Sequence, residues 1–434
     1  MNYLIFILFF RFCCVFLKFY NKFSFGATAR STAPRFTPAT APAHYQIFVI
    51  YHIICKMKMI YFDNGATSHY KPFSVIWAFL KNVRASANPG RSGHKLSLKN
   101  AFEIYKCRET VAKHFGAEQV IFTKNCTEAL NIAILGIARK MGGHIICSCF
   151  EHNSVLRPLH ELQKAGTISL TVVSPENGKF ITSRDIEKNL KSDTTLVCVG
   201  AVSNVTGTQN DIENIGKLCK KRSVLFLVDD AQGVGHIKVN MENIDFLAFS
   251  GHKGFLTPQG IGALCIASQT LPLPLVYGGT GTESDNLYQP LYPPESLESG
   301  TLATSLICSL RAGVLYAEKN FERHYEKTLE LTQYLTKKLK ELDFITLYSS
   351  PNPSGVVSFN VKGYDSTETS DFLSSRYNIA TRGGLHCAPL THKHFNTLSQ
   401  GMVRVSLNFK NTHHQINILL KALKELNNKK NNSM

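Results

Sequence analysis

Short apolar runs alternate with amphipathic segments from Met59 to about residue 300. The runs are nearly continuous and rich in β-branched residues, and helical segments separate most of them. This pattern is typical of buried parallel strands joined by helices, so it predicts a βαβ architecture. The clearest predicted strands are HIICSCF, SLTVVS, TLVCVGAVS, VLFLVDDA and DFLAFSG. The segment VIFTKNCTEALNIAILGIARKMGG predicts a strand, a tight turn and a helix.

The pattern changes after about residue 300. A long amphipathic helix is predicted over about residues 305–342, and the runs VVSFNV, NIATRGGLHCA and MVRVSLNF follow it. These features predict a smaller α+β domain. The chain has 434 residues, which is enough for two cores. We therefore predict an extension over 1–58, a large domain over 59–300 and a small domain over 301–425.

The extension differs in composition from the rest of the chain. It contains seven Lys or Arg residues and no Asp or Glu, and residues 3–17 form an apolar run that only Arg11 interrupts. Three interpretations stay open: a signal-anchor segment, an organelle-targeting leader, or upstream sequence that is not normally translated. The apolar run is short for a bilayer span. We expect a cytoplasmic core without membrane attachment, or a mitochondrion-related or plastid location if the leader is real.

The overall composition is that of an ordinary globular protein, with 44% hydrophobic and 18% charged residues. The net charge of +17 favours an anionic partner. However, no run interleaves arginines with aromatic residues, so we expect a solvated basic surface and no nucleic-acid partner. The twelve cysteines show neither a zinc spacing nor a disulfide framework. This predicts no metal site and a reducing compartment.

Polar residues that follow the predicted parallel strands are candidates for chemistry, because ligands bind at the carboxyl ends of such strands. Lys253, in SGHKG, follows DFLAF, and a buried lysine is a nucleophile for carbonyl groups. Asp229 ends VLFLVDD and can pair with a pyridinium nitrogen; alternatively, it caps the following segment. Gln232 lies close enough in sequence to reach a ring hydroxyl.

Three other segments offer groups for the same site, each with an ordinary alternative. Thr127, in the strand-to-helix turn KNCTEALN, lies beside free helix amides and suits an anion, or else the turn is a capping box with Glu128. His152, in EHNSV, can stack on an aromatic ring or be a loop histidine. Asn204, in AVSNVTGT, can hydrogen-bond a ring oxygen or form a turn.

Two candidates lie in the predicted small domain. Cys387, in TRGGLHCAPL, follows a pair of glycines that bend the chain, and Arg382 and His386 are near enough in sequence to stabilise a thiolate. The alternative is a buried structural cysteine. Arg404, in GMVRVSLN, alternates with apolar residues, so it either reaches solvent at the sheet edge or binds a carboxylate through two hydrogen bonds.

Taken in order, the motifs resemble those of the class V aminotransferase family, specifically the cysteine desulfurases of the SufS/NifS type. The resemblance runs from about Ile60 to about Asn411, and it rests on YFDNGATS, NPGRSGH, CTEALN, EHNSV, VSNVTGT, VDDAQG, SGHKG, ESGTL, RGGLHCAP and VRVSLNFKNT. It implies a homodimer with the α/β fold of type I transferases that depend on pyridoxal 5'-phosphate (PLP). In that fold, a large domain with a mostly parallel sheet precedes a smaller α+β C-terminal domain.

The resemblance also implies a role for each matched residue. Lys253 corresponds to the lysine that holds PLP as a Schiff base, and Cys387 to the catalytic cysteine that takes the sulfur. His152 corresponds to the residue stacked on the ring and is a third catalytic candidate. The other implied cofactor contacts are Asp229, Gln232 and Asn204 at the ring, with Thr127, Cys126, Ser250, His252 and, from the neighbouring subunit, Thr301 at the phosphate. The implied substrate contacts are Arg404, Asn88 and Arg382.

The implied reaction converts L-cysteine to L-alanine and passes sulfur through a Cys387 persulfide to an acceptor protein, for iron–sulfur clusters or other sulfur-requiring pathways. Two positions depart from the family pattern. Leu385 replaces the first His of the SufS-type loop, which bears on the acceptor. Cys126 replaces a usual Thr, which removes one hydroxyl but leaves the backbone amides. The alternatives are a selenocysteine lyase, another class V aminotransferase or lyase, or a membrane-anchored or scaffold protein with a degenerate PLP fold.

Overall fold

The computed structural model describes residues 59–89, 92–176, 178 and 180–431. From Met59 onward the chain forms one compact unit. Residues 1–58 lie outside the described part, so the three interpretations of the extension stay predictions. Of the described helices, none is both long enough and apolar enough to cross a membrane.

A seven-stranded sheet forms the centre of the larger part of this unit. Its strands are β2 (Gln119–Thr123), β3 (His144–Ser148), β4 (Ser169–Val173), β5 (Thr194–Gly200), β6 (Leu225–Asp229), β7 (Phe246–Ser250) and β8 (Gly262–Ile266). They lie in the order β2-β8-β7-β6-β5-β3-β4. Neighbours from β7 to β4 are parallel, whereas β8 is antiparallel to β7 and β2. The mostly parallel α/β sheet is confirmed, and β8 was not predicted.

Apolar clusters lie on both faces of this sheet. Strand β3 shows the cause, because all five of its residues are buried and successive side chains point to opposite faces. Ile146 belongs to one cluster, whereas Ile145 and Cys147 belong to the other. The helices of this part are α1 (Phe73–Arg84), α2 (Lys95–Phe115), α3 (Cys126–Met141), α4 (Asn153–Lys164), α5 (Ser183–Glu187) and α6 (Ile212–Arg222). Helix α2 ends at Gly116 in a left-handed conformation, as predicted.

The remainder of the unit packs around a second core. It contains α7 (Thr304–Lys340), β9 (Ile345–Leu347), β10 (Val356–Val361), α8 (Ser366–Tyr377), β11 (Ile379–Ala380), α9 (Pro389–His394), β12 (Val403–Ser406) and α10 (His413–Asn431). Strands β12, β10 and β9 form an antiparallel sheet in that order. The predicted α+β character and the predicted long helix are confirmed.

Two elements link the earlier and the later part of this unit. Strand β1 (Ile60–Tyr61) pairs in parallel with β11, and Ile60 and Phe62 belong to the core around β10 and β12. Helix α7 contributes Leu310 near its start to the large core and Leu335 near its end to the small one. The predicted domain limits at 59–300 and 301–425 stay a prediction, but the first described strand packs with the later segment.

Candidate active site

A cavity of about 330 Å³ lies where β3, β5, β6 and β7 end. The position follows from the topology, since the carboxyl ends of parallel strands meet at one edge of a sheet. Asp229 is the last residue of β6, Ser250 is the last residue of β7, and Lys253 follows three residues later. The predicted residues that the structure brings to the cavity wall are Lys253, Asp229, Gln232, Asn204, His152, Thr127, Cys126, Ser250, His252, Arg382 and Arg404.

Lys253 is the buried amine of this cavity. Burial lowers its pKa, and the nearby carboxylate of Asp229 partly opposes that effect. A lower pKa leaves more of the amine unprotonated near neutral pH, and the unprotonated form is the nucleophile. The lysine is therefore suited to form an imine with an aldehyde.

Asp229 is oriented by two donors. The backbone N–H of Ala231 donates to Oδ1 at 2.9 Å, and the thiol of Cys126 lies 3.5 Å from the same oxygen. Burial and this carboxylate both raise the pKa of Cys126, so the thiol stays protonated and can donate. With Oδ1 occupied, Oδ2 is available to a ligand. The side chain of Cys126, which the family pattern associates with phosphate, therefore contacts the carboxylate of Asp229 instead.

Small polar groups form a cradle at the start of α3. The side chain of Asn125 accepts a hydrogen bond from the backbone of Glu128, so Asn125 is the residue that caps the helix. Thr127 is thereby free of the capping role, and its hydroxyl pairs with that of Ser154 at 2.8 Å. Ser250 accepts a hydrogen bond from the backbone of Cys126 at 3.3 Å. Hydroxyls next to a helix N-terminus suit a phosphate group.

Two histidines of the wall are neutral because they are buried. Burial lowers the pKa of His252 to about 4, and its Nδ1 lies 3.0 Å from the Thr67 hydroxyl. Burial also lowers the pKa of His152 to about 4. Nδ1 of His152 accepts a hydrogen bond from the backbone of Ser154, which fixes the ring at the start of α4. A neutral, fixed imidazole is suited to stacking on a planar ring.

Arg404 is a cation in the cavity wall with only 1% of its surface exposed. Its Nη2 donates to Oδ1 of Asp63 at 3.0 Å, and its Nη1 donates to the backbone oxygen of Asn204 at 2.9 Å. Nε of Arg404 has no hydrogen-bond partner in the described part of the chain. A guanidinium held in this way still has a donor for a substrate carboxylate.

The side-chain amides of Asn204 and Gln232 are both held by backbone oxygens. Asn204 donates to His386 at 2.7 Å, and Gln232 donates to Gly65 at 2.9 Å. The turn prediction for Asn204 also holds, because its segment forms a turn after β5. Both side chains line the cavity, where they can face a ring oxygen.

Cys387 lies beside the cavity rather than in its wall. It is partly exposed, and Nη2 of Arg382 lies 3.9 Å from its sulfur. His386 and Cys387 both have positive φ angles, of 50° and 58°. Left-handed backbone is uncommon for such residues, so the loop makes a tight turn at the cysteine. The alternative of a fully buried structural cysteine is wrong.

Two predicted residues do not reach this cavity. Asn88 lies between α1 and α2, where its backbone oxygen accepts a hydrogen bond from Ser97. Thr301 lines a separate cleft together with Glu298. That Thr301 serves a neighbouring subunit stays a prediction.

Three residues of the site were not predicted individually. Asp63 and Gly65 occur in YFDNGATS, a motif that supports the family resemblance but assigns neither residue a role. A Cβ atom at Gly65 would lie 3.2 Å from Cβ and Oγ of Ser406, so the glycine lets the backbone approach Ser406 closely. Glu151 is buried next to His152, and an acidic residue at the end of an apolar strand was the available signal.

The cavity therefore contains the groups that PLP requires. It offers an amine for the aldehyde, a carboxylate for the ring nitrogen, hydroxyls at a helix N-terminus for the phosphate and an imidazole for the ring face. No cluster suited to a metal ion occurs among the described residues. The donor set thus fits this cofactor.

The family model for class V aminotransferases matches residues 60–419, and the chain belongs to this family of PLP-dependent enzymes. A probable cysteine desulfurase of Pyrococcus abyssi is 35% identical, over 85% of this chain and 94% of that protein. The cysteine desulfurase IscS of Buchnera aphidicola is 30% identical, over 76% and 80% respectively. The solved apo structure of cysteine desulfurase from Thermococcus onnurineus has a TM-score of 0.78 at 34% identity, and the match covers 85% of this chain and 94% of that one.

Proposed function

We propose that this chain is a PLP-dependent cysteine desulfurase that converts L-cysteine to L-alanine and places the sulfur on Cys387. The observation that carries the proposal is the combination of Lys253 and Asp229 in one cavity wall with a partly exposed thiol next to Arg382. The amine and carboxylate suit PLP, but transamination needs no thiol. A half-exposed thiol beside a guanidinium suits sulfur transfer. The cysteine desulfurases among the relatives support the same activity.

Bound PLP would supply an electron sink that makes the carbon–sulfur bond of the substrate breakable. Asp229 would keep the ring nitrogen of PLP protonated, and His152 would keep the PLP ring flat against the cavity wall. Arg404 would bind the substrate carboxylate with the Nη hydrogens that its contacts to Asp63 and Asn204 leave free. The amine of Lys253, once released, would move protons at the α-carbon of the substrate.

The thiolate of Cys387 would attack the sulfur of the substrate. A sulfur–sulfur bond would form and the carbon–sulfur bond would break. The enzyme would then carry a persulfide, and the electron pair of the broken bond would stay on the carbon skeleton, which becomes alanine after it takes up protons. The guanidinium of Arg382, 3.9 Å from the sulfur, would hold the Cys387 side chain in place for this attack. Because Cys387 is on a partly exposed loop, its persulfide can meet an acceptor protein.

The working form would be a homodimer. Helix α1 exposes Phe73 and Trp77 to 73% and 57%, and α2 exposes Phe102 to 57%. Exposed aromatic side chains on adjacent helices are unusual for a monomer and are typical of an interface. A second copy that covers these faces would also provide the neighbour that Thr301 is proposed to serve. The nine described cysteines are free, which suits a reducing compartment such as the cytoplasm or an organelle matrix.

Alanine release and protein-bound persulfide, measured with L-cysteine on the full chain loaded with PLP, test the proposal. Cys387→Ala should retain the colour of bound PLP but lose alanine formation by on the order of 100-fold or more, because the nucleophile is gone. Lys253→Ala should lose the absorbance of the imine. The matched control is Cys308→Ala. It removes a thiol of α7 that does not line the cavity, so turnover should be unchanged.

Two results would contradict this assignment. Normal alanine formation by Cys387→Ala would exclude sulfur transfer to this thiol. Parallel assays with selenocysteine and with a keto acid separate the selenocysteine lyase and aminotransferase alternatives, since either would show turnover far above that with L-cysteine.

A further inference from the structure

Glu151 is a buried acid in the cavity wall to which the reaction above assigns no role. It lies between the end of β3 and His152, and only 1% of its surface is exposed. The same cavity contains Asp229, which is proposed to pair with the cofactor ring. Two carboxyl groups in one small cavity rarely both ionise, because their like charges repel in a medium that screens weakly.

Within the described residues, the side-chain hydrogen bonds of Glu151 converge on one carboxyl oxygen. The hydroxyl of Ser148 and the backbone N–H of Gly200, the latter at 3.0 Å, both donate to Oε1. The Ser148 hydroxyl accepts a hydrogen bond from the backbone of Phe150, which orients its own hydrogen toward Glu151. Oε2 therefore remains as the oxygen that can carry a proton. Gly200 has no Cβ, and such an atom would lie 3.5 Å from Oε2.

Glu151 forms no ion pair within the described part of the chain, although Arg382 and Arg404 line the same cavity. The titratable groups around it are Asp229 on β6, Cys147 and Cys149 at β3, and Cys198 on β5, and the next residue is His152. Burial raises the pKa of each of these thiols and lowers that of the histidine, so all four stay uncharged near neutral pH. Burial, reinforced by Asp229, raises the pKa of Glu151 to about 8.

We propose that Glu151 is a positioning residue that acts through Asp229: its neutral form leaves one negative charge at the ring-nitrogen end of the cavity, and its ionisation adds a second. The inference rests on the proposed cofactor site. With PLP bound, a second negative charge would raise the pKa of the ring nitrogen and that of the imine nitrogen contributed by Lys253, because a nearby negative charge favours the protonated form of each. Both hydrogen bonds to Oε1 stabilise the ionised form, so they set the pH at which the second charge arises.

The first experiment needs no cofactor. Infrared difference spectra of the apo full chain, recorded from pH 6 to 9.5, should show a protonated carboxyl that disappears around pH 8. Glu151→Gln should lack this signal, since glutamine has nearly the same shape and no proton to release. Glu161→Gln, on the exposed side of α4, is the matched control and should leave the signal unchanged. If the wild-type spectrum has no such transition, Glu151 does not hold the proton and the proposal fails.

The second experiment follows the absorbance of the PLP-loaded full chain over the same pH range. Wild type should show an alkaline step around pH 8 that is absent in Glu151→Gln, while both spectra agree below pH 7. Ser148→Ala removes a hydrogen bond to the ionised form, so its step should move to higher pH. Identical titrations of wild type and Glu151→Gln, or a downward shift in Ser148→Ala, would overturn the proposal.

The two proposals can fail separately. A full chain that never becomes coloured with PLP contradicts the desulfurase assignment, whereas a coloured chain whose pH response ignores Glu151 contradicts only the role of this residue.

Discussion

Asp230 is a carboxyl group that the fold buries without a partner. None of its surface is exposed, and neither carboxyl oxygen has a hydrogen-bond partner in the described part of the chain. Its backbone is satisfied, because its N–H donates to Ala248 and its carbonyl accepts from Val234. Asp230→Ala therefore removes only the unsatisfied group, and we expect it to stabilise the protein.

The magnitude follows from two opposing effects. An unsatisfied buried polar group costs about 1–3 kcal/mol of the free energy of unfolding. The cavity left by a carboxyl group is roughly that of one water, about 30 Å³, and costs about 0.7 kcal/mol at about 24 cal/mol per Å³. The net expected gain at acidic pH is thus roughly 0.3–2.3 kcal/mol, before ionisation is considered.

Ionisation makes the gain depend on pH. Burial, with Asp229 next to it, raises the pKa of Asp230 well above its usual range. Below about pH 4 the folded and unfolded states are both protonated, so no ionisation penalty exists. As pH rises, the unfolded chain releases this proton while the folded chain keeps it. Stability of the wild type then falls by up to about 1.4 kcal/mol per pH unit, until the pKa of the folded state is reached.

Urea unfolding of full-length wild type and variants at pH 5, 6 and 7 measures this effect. Asp230→Ala should be the more stable protein at each pH, with an advantage that grows toward pH 7. Asp230→Asn is the matched control: it removes the ionisation but keeps an unsatisfied polar group, so it should gain less than the alanine variant. An alanine variant that is less stable than wild type at pH 7, or an advantage independent of pH, would refute the reasoning.

Two further predictions concern a buried ion pair outside the cavity and the loop that follows Lys253. Glu298 accepts two hydrogen bonds of 2.9 Å from Arg108, and only 5% of its side chain is exposed. Glu298→Ala should therefore lower the free energy of unfolding, measured in urea, by about 3–5 kcal/mol, and adding Arg108→Met to that variant should restore part of the loss. A loss under about 1 kcal/mol contradicts this prediction. A Cβ at Gly254 would lie 1.6 Å from the Val234 oxygen, so Gly254→Ala should displace the preceding lysine and abolish the PLP colour, whereas Gly93→Ala, with open space, should bind PLP normally.

Most of the sheet could be predicted because its strands are buried on both faces. Runs such as HIICS are apolar at nearly every position rather than at alternate ones. This pattern is typical of parallel strands covered on both faces, so the strands could be predicted from the sequence alone. Strand β8, with the equally apolar sequence GALCI, was not recognised. It follows a glycine-rich turn after Lys253 rather than a helix, so it lacks the alternation with helices that identified the others. Pairing of β1 with β11 joins residues more than 300 positions apart, which no local pattern encodes.

The candidate site was predictable where a residue ends a strand and less so where its partner is distant. Lys253 and Asp229 follow apolar runs and were found on that basis. The contact between Cys126 and Asp229 was not, because it depends on how α3 lies against β6. Asp63 and Arg404 form their ion pair across 341 positions of sequence, so the chain pattern showed only an arginine on a strand.

The charges of the cavity explain why it suits two anions at once. Arg382 and Arg404 are the cations of its wall, Asp229 is the facing carboxylate, and burial shifts the amine of Lys253 toward its neutral form by lowering its pKa. The histidines of the wall are neutral because burial lowers their pKa values, and Glu151 is neutral because burial raises its own. Cations therefore exceed anions in a space with little water, which attracts a phosphate and a substrate carboxylate together. If Glu151 were charged at neutral pH, that excess would shrink, and the binding of both anions would weaken.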